Sequence, residues 1–211
     1  LEEASTFCDV LFLALPHTLA SQKVTQQILD RTVIIDLGAD YRLHDVDVYE
    51  AWYQCKHASR ELMSQAVYGL CELHREAIRK TNLIANPGCY TTCSILTLAP
   101  LVGEGLIDPS SIIIDSASGV TGAGRSEKTA NLFSEINESY KAYGVTNHRH
   151  TVEIEQELSI LNKEPLLVQF TPHLVPMNRG ILSTCYADLK EGVTEKEVAE
   201  AYEKWFGGEE F

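Results

Sequence analysis

The chain has 211 residues, 45% of them apolar, and a formal net charge of −13. This composition is ordinary for a globular protein with one large core or two small ones. Nucleic acids and anionic membranes require a basic surface, and this chain has no run of Lys or Arg. We therefore expect neither nucleic acid nor a membrane as a partner.

The six cysteines form no C-x-x-C pair and match no zinc-site spacing. We interpret them as free thiols in the reducing environment of the cytoplasm, and we expect no metal. No apolar run reaches the roughly 18 residues of a membrane-spanning helix, and the first residues lack the basic segment of a signal peptide. Because the chain does not begin with Met, we interpret it as part of a longer protein.

Apolar strands and helical patterns alternate in the first part of the chain. The continuous apolar runs indicate strands that are buried on both faces. The predicted strands are 9–15, 33–37 and 83–85, the predicted helices are 18–30 and 72–80, and 41–60 is predicted to be loop and short helix. This alternation predicts a partial doubly wound, Rossmann-type α/β sheet.

The later part of the chain mixes helices and strands in a different order. Its predicted helices are 87–102, 152–161 and 194–206, and its predicted strands are 112–116, 166–171 and 180–189. Thr194 and Glu197 have the spacing of a capping box at the start of the last helix. We therefore predict two domains, 1–86 with the doubly wound sheet and 87–211 with an α+β arrangement.

Cys89 lies in a segment that predicts the start of a helix. Asn86 is a strong N-cap residue, Pro87 favours the first helical position, and Gly88 leaves room for a close approach. Cys89 then falls in the first turn, where unpaired N–H groups and the helix dipole stabilise an anionic sulfur. These features favour a nucleophile. The alternative is a buried, inert cysteine, the role that we assign to Cys93 and to the other four cysteines.

A His-Arg-His cluster precedes another predicted helix. Thr151 is expected to be its N-cap, with His150 just ahead of the helix and Glu153 in its first turn. A thiol with a His and an acidic partner is the general arrangement for nucleophilic acyl chemistry, in which the His moves the proton. Two alternatives remain open: a metal site built from His148, His150 and His173, and a solvated surface cluster.

A glycine-rich segment, 118–124, follows the predicted strand 112–116. Its G-x-x-G-x-G spacing is not the dinucleotide fingerprint G-x-G-x-x-G, which occurs nowhere in the chain. Exposed N–H groups of such a loop could cradle a phosphate, and a mobile turn is the equal alternative. Arg125, Arg149 and Arg179 flank the candidate loops and could bind a carboxylate or a phosphate.

Several of these motifs together resemble the family of N-acetyl-gamma-glutamyl-phosphate reductases. Their order and spacing agree over nearly the whole chain, and several motifs must match at once. The matching segments are Leu15-Pro16-His17, Leu37 to Leu43, Ala85 to Tyr90, Ser118 to Arg125, His148 to Glu155 and Thr171 to Pro176. The resemblance makes 1–86 the remainder of an NADP-binding domain and 87–211 a catalytic and dimerisation domain.

The resemblance implies that NADPH reduces N-acetyl-gamma-glutamyl phosphate to the semialdehyde, a step of arginine biosynthesis, through a thioester on Cys89. It implies His150 as the acid/base, with Glu153 beside it and His148 as a helper. The implied substrate-binding residues are Asn86, Arg149 and Arg179, and the implied cofactor-binding residues are Pro16, His17, Ser118, Gly119, Gly122, Ala123 and Gly124. Relatives form dimers or tetramers, so we expect a homo-oligomer.

The chain departs from the family pattern in three ways. It lacks the first strand with its glycine fingerprint, and it lacks the final return of the chain to the nucleotide domain. We therefore expect a reactive thiol but weak NADPH binding. Thr91 and Val152 also stand where many relatives carry Pro, and we expect neither to take part in the chemistry.

Four alternatives remain. Aspartate-semialdehyde dehydrogenase and the aminoadipyl-phosphate reductase of the lysine pathway share the chemistry. The first is less similar around 148–155, and the carrier-borne substrate of the second calls for a basic rim that a net charge of −13 disfavours. A Cys-His hydrolase would use the same thiol without a nicotinamide, so cofactor-dependent turnover separates the two. A non-catalytic interaction module would not require an activated cysteine.

Overall fold

The structure is a computed structural model that describes residues 1–210. The chain divides into two compact units, Leu1–Gly88 and Cys89–Phe211, which we call the N-terminal and C-terminal units. The division therefore falls two residues after the position 86 at which the sequence predicts it.

The N-terminal unit is built on a parallel sheet. Its strands are β1 Val10–Leu13, β2 Val33–Asp36, β3 Val67–Tyr68 and β4 Leu83–Ala85. They lie in the order β1-β2-β4-β3, and all the pairs are parallel. This confirms the predicted α/β class. The two-residue strand β3 was not predicted, because so short a segment carries no periodic pattern.

The helices of this unit are shorter than the sequence predicts. They are α1 Leu19–Lys23, α2 Gln26–Leu29, α3 Val46–Tyr53, α4 Arg60–Met63 and α5 Cys71–Ile78. The predicted helix 18–30 is two helices, because the backbone is extended at Val24 and Thr25, and such β-branched residues disfavour helix. In the segment predicted as loop and short helix, Asp45 caps α3 by accepting the N–H groups of Asp47 and Val48.

The C-terminal unit is built on a mixed sheet. Its strands are β5 Ile113–Ser118, β6 Lys141–Ala142, β7 Gln169–Leu174 and β8 Ile181–Tyr186, in the order β6-β7-β5-β8. β5 and β7 are parallel, and the two other pairs are antiparallel. Its helices are α6 Cys89–Gly103, α7 Phe133–Ile136, α8 His150–Asn162 and α9 Glu195–Phe206. The predicted α+β arrangement is confirmed.

The two faces of the second sheet differ. Helix α6 packs against α8 and β8, and the hydroxyls of Ser94 on α6, Ser183 on β8 and Ser116 on β5 join in one hydrogen-bonded chain. Alternate residues on β5 and β8 face the other way. Among them Leu182 is 68% exposed and Tyr186 is 58% exposed, so that face of the sheet carries apolar surface that the unit leaves uncovered.

Helix α9 completes the C-terminal unit. The predicted capping box is present: Glu197 N donates to Thr194 Oγ1, and Thr194 N donates to Glu197 Oε2. Trp205 lies directly on Gly103 at the end of α6, so that a Cβ at that position would overlap its ring. Among the described residues 1–210, the helices include none that is long and apolar enough to cross a bilayer.

Candidate active site

The thiol of Cys89 stands at the first residue of α6. The helix begins at Cys89, so the prediction that Asn86 caps it and Pro87 opens it is wrong. The side-chain amide of Asn86 instead donates to the Pro87 carbonyl. Cys89 is free and exposed, whereas the next residue, Tyr90, is buried. The thiol is therefore accessible, while the next residue of the same helical turn is packed into the protein.

Tyr90 ties the start of α6 to the sheet. Its hydroxyl donates to the His173 carbonyl on β7 at 3.4 Å, so in the 2.8 Å contact with the Tyr143 hydroxyl it accepts. Burial raises the pKa of both tyrosines, and the proximity of the Cys89 sulfur raises them further. Both hydroxyls thus stay protonated and lie within electrostatic range of the thiol.

His148 is enclosed by aromatic rings. Its ring meets those of Tyr90, Tyr143, His150 and Phe170 edge-on, with centroids 4.8 to 5.6 Å apart. Burial, with the neighbouring His150 and Arg149 acting in the same direction, lowers the pKa of His148 to about 4. An imidazole with that pKa is neutral at pH 7. This disfavours the predicted role of His148 as a helper in proton transfer.

His150 is the first residue of α8, so the predictions that it precedes the helix and that Thr151 is the N-cap are wrong. Its ring centroid lies 5.9 Å from that of Tyr90. Glu153, in the same turn, is only 1% exposed, and its Oε1 accepts the hydroxyl of Thr91 on α6 at 2.9 Å. The two residues that follow Cys89 thus contact the first turn of α8: Tyr90 meets His150, and Thr91 meets Glu153.

The glycine-rich loop does not have the predicted form of a phosphate cradle. The N–H groups of Gly119, Val120 and Thr121 donate to the carbonyls of Gly180, Met177 and Asn178, and those of Gly122 and Gly124 donate within the loop. Phosphate binding requires such groups to be available. The interpretation of these N–H groups as a phosphate cradle is therefore wrong. Cofactor binding by the loop stays a prediction, and it must use contacts other than these N–H groups. The residues concerned are Ser118, Gly119, Gly122, Ala123 and Gly124.

The loop is nevertheless packed closely against one candidate arginine. A Cβ on Gly119 would lie 2.6 Å from the backbone N of Arg179, so only glycine lets the two loops meet. The side chains of Arg125, Arg149 and Arg179 are exposed. Arg149 directly precedes α8 and raises the positive potential around His148. Arg149 and Arg179 thus remain candidates for binding an anion.

His173 does not complete a metal site. Its Nδ1 lies 2.9 Å from Asp115 Oδ1 on the neighbouring strand, an ion-pair distance at an angle too oblique for a hydrogen bond. The ring centroid of Tyr140 lies 5.0 Å from that of His173. Within residues 1–210 there is no group of three or more His, Cys, Asp or Glu side chains placed to hold a metal ion.

In the N-terminal unit, Asp40 organises the carboxyl edge of the parallel sheet, where Rossmann-type folds bind dinucleotides. Its carboxylate accepts the N–H groups of Thr18 at 2.7 Å and Ser21 at 2.9 Å. This holds Thr18 in the left-handed region, with φ 73°. The exposed Pro16 and His17 stand just before it. Pro16 and His17 are placed to contact part of a dinucleotide. The N–H groups of Thr18 and Ser21 already donate to Asp40, so they cannot bind its phosphates.

Asp36, at the end of β2, is a buried carboxyl that sequence reasoning missed. Its Oδ1 accepts the N–H of Gly38 at 2.9 Å, and its Oδ2 is buried with no hydrogen-bond partner. Burial, with the nearby Asp40 acting in the same direction, raises the pKa of Asp36 to about 6. The apolar pattern of the strand did not predict this burial, because a carboxyl at a strand end is usually solvated.

The fold and the exposed thiol define a class of two-unit α/β proteins, and comparison with known families places the chain within it. Residues 89–211 match the model described as semialdehyde dehydrogenase, dimerisation domain, and residues 1–81 match semialdehyde dehydrogenase, NAD binding domain. The chain belongs to the semialdehyde dehydrogenase family.

Curated relatives indicate more specifically which members of the family the chain is similar to. The chain is 53% identical over 211 residues to N-acetyl-gamma-glutamyl-phosphate reductase of Lachnoclostridium phytofermentans, covering 100% of this chain and 61% of that protein. The protein of the same name from Campylobacter jejuni subsp. doylei is 53% identical over 203 residues, 96% of this chain and 59% of that protein. The resemblance found from the motifs is confirmed, and the chain spans about three fifths of these relatives' length.

Solved structures show the same fold. Aspartate semialdehyde dehydrogenase II from Vibrio cholerae superposes with a TM-score of 0.64 at 16% identity, over 94% of this chain and 61% of that one. The aspartate semialdehyde dehydrogenase from Francisella tularensis gives 0.65 at 13% identity, over 96% of this chain and 64% of that one. At such identities the likeness concerns the fold alone.

Proposed function

We propose that this chain carries the thiol chemistry of an N-acetyl-gamma-glutamyl-phosphate reductase, an NADPH-dependent enzyme of arginine biosynthesis. The observation that carries the proposal is an exposed, free Cys89 at the first residue of a helix, with His150 at the start of the helix packed beside it. About three fifths of each of the two relatives described above aligns with this chain at 53% identity, which supports the same substrate.

In the first step the Cys89 thiolate attacks the carbonyl carbon of the acyl phosphate. The sulfur–carbon bond forms, the bond from that carbon to the phosphate oxygen breaks, and inorganic phosphate leaves and takes one proton from solvent. Cys89 stands at the start of α6, where the helix dipole is favourable to negative charge. His150 holds the proton that Cys89 gives up.

In the second step the thioester on Cys89 is reduced. When bound, NADPH supplies the hydride. His150 donates its proton to the oxygen of the former carbonyl, and when that proton returns to His150 the sulfur–carbon bond breaks to release the semialdehyde and the thiolate. The substrate carbon has then gained two electrons. Glu153, one turn along α8 from His150, orients the acid/base.

The substrate carries a carboxylate and a phosphate, and both need cationic partners. Arg149 and Arg179 are the side chains that we propose for them, with Asn86 as a further substrate contact. Both arginines are exposed, so an anion from solvent can reach them. They act against an overall charge of −13, which by itself would slow the approach of an anionic substrate.

We propose a cofactor site for NADP(H) at Pro16 and His17 and at the Ser118 to Gly124 loop. The surroundings of Asp40 fit part of a dinucleotide, and the chain has no glycine fingerprint for its phosphates. We therefore expect the isolated chain to bind NADPH weakly. The assignment of 1–86 to the cofactor and 87–211 to catalysis and dimerisation follows from the same proposal, as does a cytoplasmic location.

We propose a homo-oligomer, a dimer or a tetramer, that forms through the open face of the second sheet. Ile113, Leu182 and Tyr186 expose 43%, 68% and 58% of their surface there. Exposed large apolar side chains on one face of a sheet are typical of a subunit contact. The match of residues 89–211 to a dimerisation domain supports this assignment.

The experiment that tests the thiol compares two cysteines of the same chain. Cys71 is also exposed and also opens a helix, α5, but without the histidine cluster. We expect iodoacetamide to alkylate Cys89 about ten-fold or more faster than Cys71 at pH 7, and Cys89→Ser to remove the fast phase. Equal rates at the two cysteines would contradict the proposal, because a helix start alone would then explain the reactivity.

A second measurement separates the reductase from a Cys-His hydrolase. With N-acetyl-gamma-glutamyl phosphate and no NADPH, a reductase releases one phosphate per chain and stops at the thioester. A hydrolase continues to release phosphate without a nicotinamide. Steady turnover in the absence of NADPH would therefore favour the hydrolase.

A further inference from the structure

We propose that Thr91 is a positioning residue for the thiol: its hydrogen bond to Glu153 fixes the turn that carries Cys89 to the turn that carries His150. The inference rests on the proposed function, since it concerns the same nucleophile and acid/base. It replaces the expectation from the sequence that Thr91 has no part in the chemistry.

The contact lies fully inside the protein. Thr91 is 0% exposed, Glu153 is 1% exposed, and the hydroxyl of the first donates to Oε1 of the second at 2.9 Å. A buried polar group needs a hydrogen-bond partner, and removing that partner leaves the group unsatisfied at a cost in free energy. The bond is therefore one that the fold holds rather than one that forms and breaks at the surface.

The helix geometry makes Thr91 the residue behind the thiol. Successive residues of an α-helix are rotated by about 100°, so Cys89 and Thr91 point in nearly opposite directions. Cys89 is exposed, and Thr91 faces inward beneath it. A movement of the Thr91 side chain therefore tilts the same turn that presents the sulfur.

The other end of the bond reaches the turn of His150. Glu153 follows His150 by three residues, and residues three apart lie on the same side of a helix. Glu153 also acts on His148, whose pKa it raises against the larger lowering effect of burial, so the two groups lie within electrostatic range. One hydrogen bond between residues 62 positions apart thus joins the two helix starts on which the proposed chemistry depends.

The hydrogen bonds of the neighbouring residue, Tyr90, hold α6 in a different direction. Tyr90 connects α6 to Tyr143 and to the β7 backbone at His173. It sets the helix against the sheet, whereas Thr91 sets it against α8. Loss of the Thr91 hydroxyl should therefore leave α6 on the sheet and disturb its spacing from His150.

The test uses Thr91→Val, which keeps the shape and removes the hydroxyl, and Thr91→Ser, which restores it. Thr97→Val is the matched control, because the Thr97 hydroxyl on the same helix donates only to the Cys93 carbonyl one turn back. The readouts are the rate of Cys89 alkylation across pH, the rate of the phosphate burst with N-acetyl-gamma-glutamyl phosphate, and the substrate concentration at half-maximal burst rate.

We expect Thr91→Val to slow the burst by about ten-fold or more at an unchanged half-maximal concentration, since small displacements of reacting groups carry such penalties. Thr91→Ser should recover most of the rate, and Thr97→Val should match the wild type. In a His150→Asn background, Thr91→Val should add little, because the two changes then act on one interaction.

Three results would overturn the inference: a wild-type rate in Thr91→Val, an equal loss in Thr97→Val, or full additivity with His150→Asn. If Thr91→Val does not fold, Thr91→Ala takes its place with the same expected outcome. A wild-type Cys89 that labels no faster than Cys71 is a separate result, since it rejects the proposed function itself whatever the Thr91 variants do.

Discussion

Nδ1 of His148 accepts the backbone N–H of His150 at 3.2 Å. An unpaired N–H at a helix start needs such an acceptor, so His148 acts as a cap for the first residue of α8. The same bond places the ring proton of neutral His148 on Nε2. His148 and His150 are therefore unequal partners: the first is locked in place by a backbone bond and by burial, and the second stands at the helix start that the first stabilises.

This inequality predicts different effects for the two histidines. In His148→Asn the side-chain oxygen can still accept the His150 N–H, because Asn is a good capping residue. We expect Cys89 alkylation and the phosphate burst to stay within about three-fold of wild type. In His150→Asn we expect a loss of about a hundred-fold in the burst, the usual scale for an acid/base. Equal losses in both variants would mean that His148 also transfers protons.

A second prediction concerns Asp36 and pH. Burial raises the pKa of this carboxyl to about 6 from an ordinary 3.8. The folded state therefore binds the proton more tightly than the unfolded state. The stability that this proton contributes is fully present below pH 3.8 and is lost as the pH rises through 6. The span of about two pKa units corresponds to about 3 kcal/mol of free energy of unfolding.

The Asp36→Asn variant removes this titration. We expect its free energy of unfolding relative to wild type to rise by about 2 kcal/mol between pH 4 and pH 7, because at pH 4 the unfolded carboxyl has already lost part of its proton. The difference between the two pH values matters, since a buried amide has its own packing cost that does not change with pH. Urea unfolding followed by the fluorescence of Trp52, which lies in the same unit, measures it. A gap between the two proteins that is the same at both pH values would disprove the assignment.

A third prediction tests the packing of α9 on α6. A Cβ at Gly103 would overlap the ring of Trp205, so Gly103→Ala must push the helix away. We expect the free energy of unfolding to fall by about 1 to 3 kcal/mol, the range for overpacking. Gly208→Ala is the control, because a Cβ there meets no atom within 4 Å. A change in Trp205 fluorescence should accompany the loss of stability in the first variant alone.

A fourth prediction addresses the open sheet face. Leu182 is 68% exposed on β8, so Leu182→Asp should leave a single chain folded and place a charge in the proposed subunit contact. We expect the variant to elute as a monomer at concentrations where the wild type is an oligomer. Leu167→Asp is the control, since Leu167 is 77% exposed but lies outside the strands. Light scattering that shows the same mass for all three proteins would argue against this face.

Much of the fold was predictable because its signals are local. The strand Leu83–Ala85 was predicted residue for residue from three apolar positions, and the Thr194–Glu197 capping box was predicted from a spacing of three. Both depend on neighbours within one turn or one strand. The errors are local too: extended residues at Val24 and Thr25 split one expected helix, and α6 begins at Cys89 rather than Pro87.

The same distinction between local and distant signals applies to the candidate site. Sequence alone was enough to select Cys89, His150 and Glu153 as candidates, because a residue type beside a helix start carries its chemistry with it. The tertiary structure decided which groups those residues meet: Thr91 with Glu153, 62 residues apart, and Tyr90 with Tyr143, 53 residues apart.

The glycine-rich loop shows why this second part could not be predicted. Its spacing suggested available N–H groups, and the carbonyls of 177, 178 and 180 use three of them. Whether a backbone group is available depends on which distant segment the fold brings against it. A buried polar group must find its partner wherever packing places one, and no spacing along the chain records that choice.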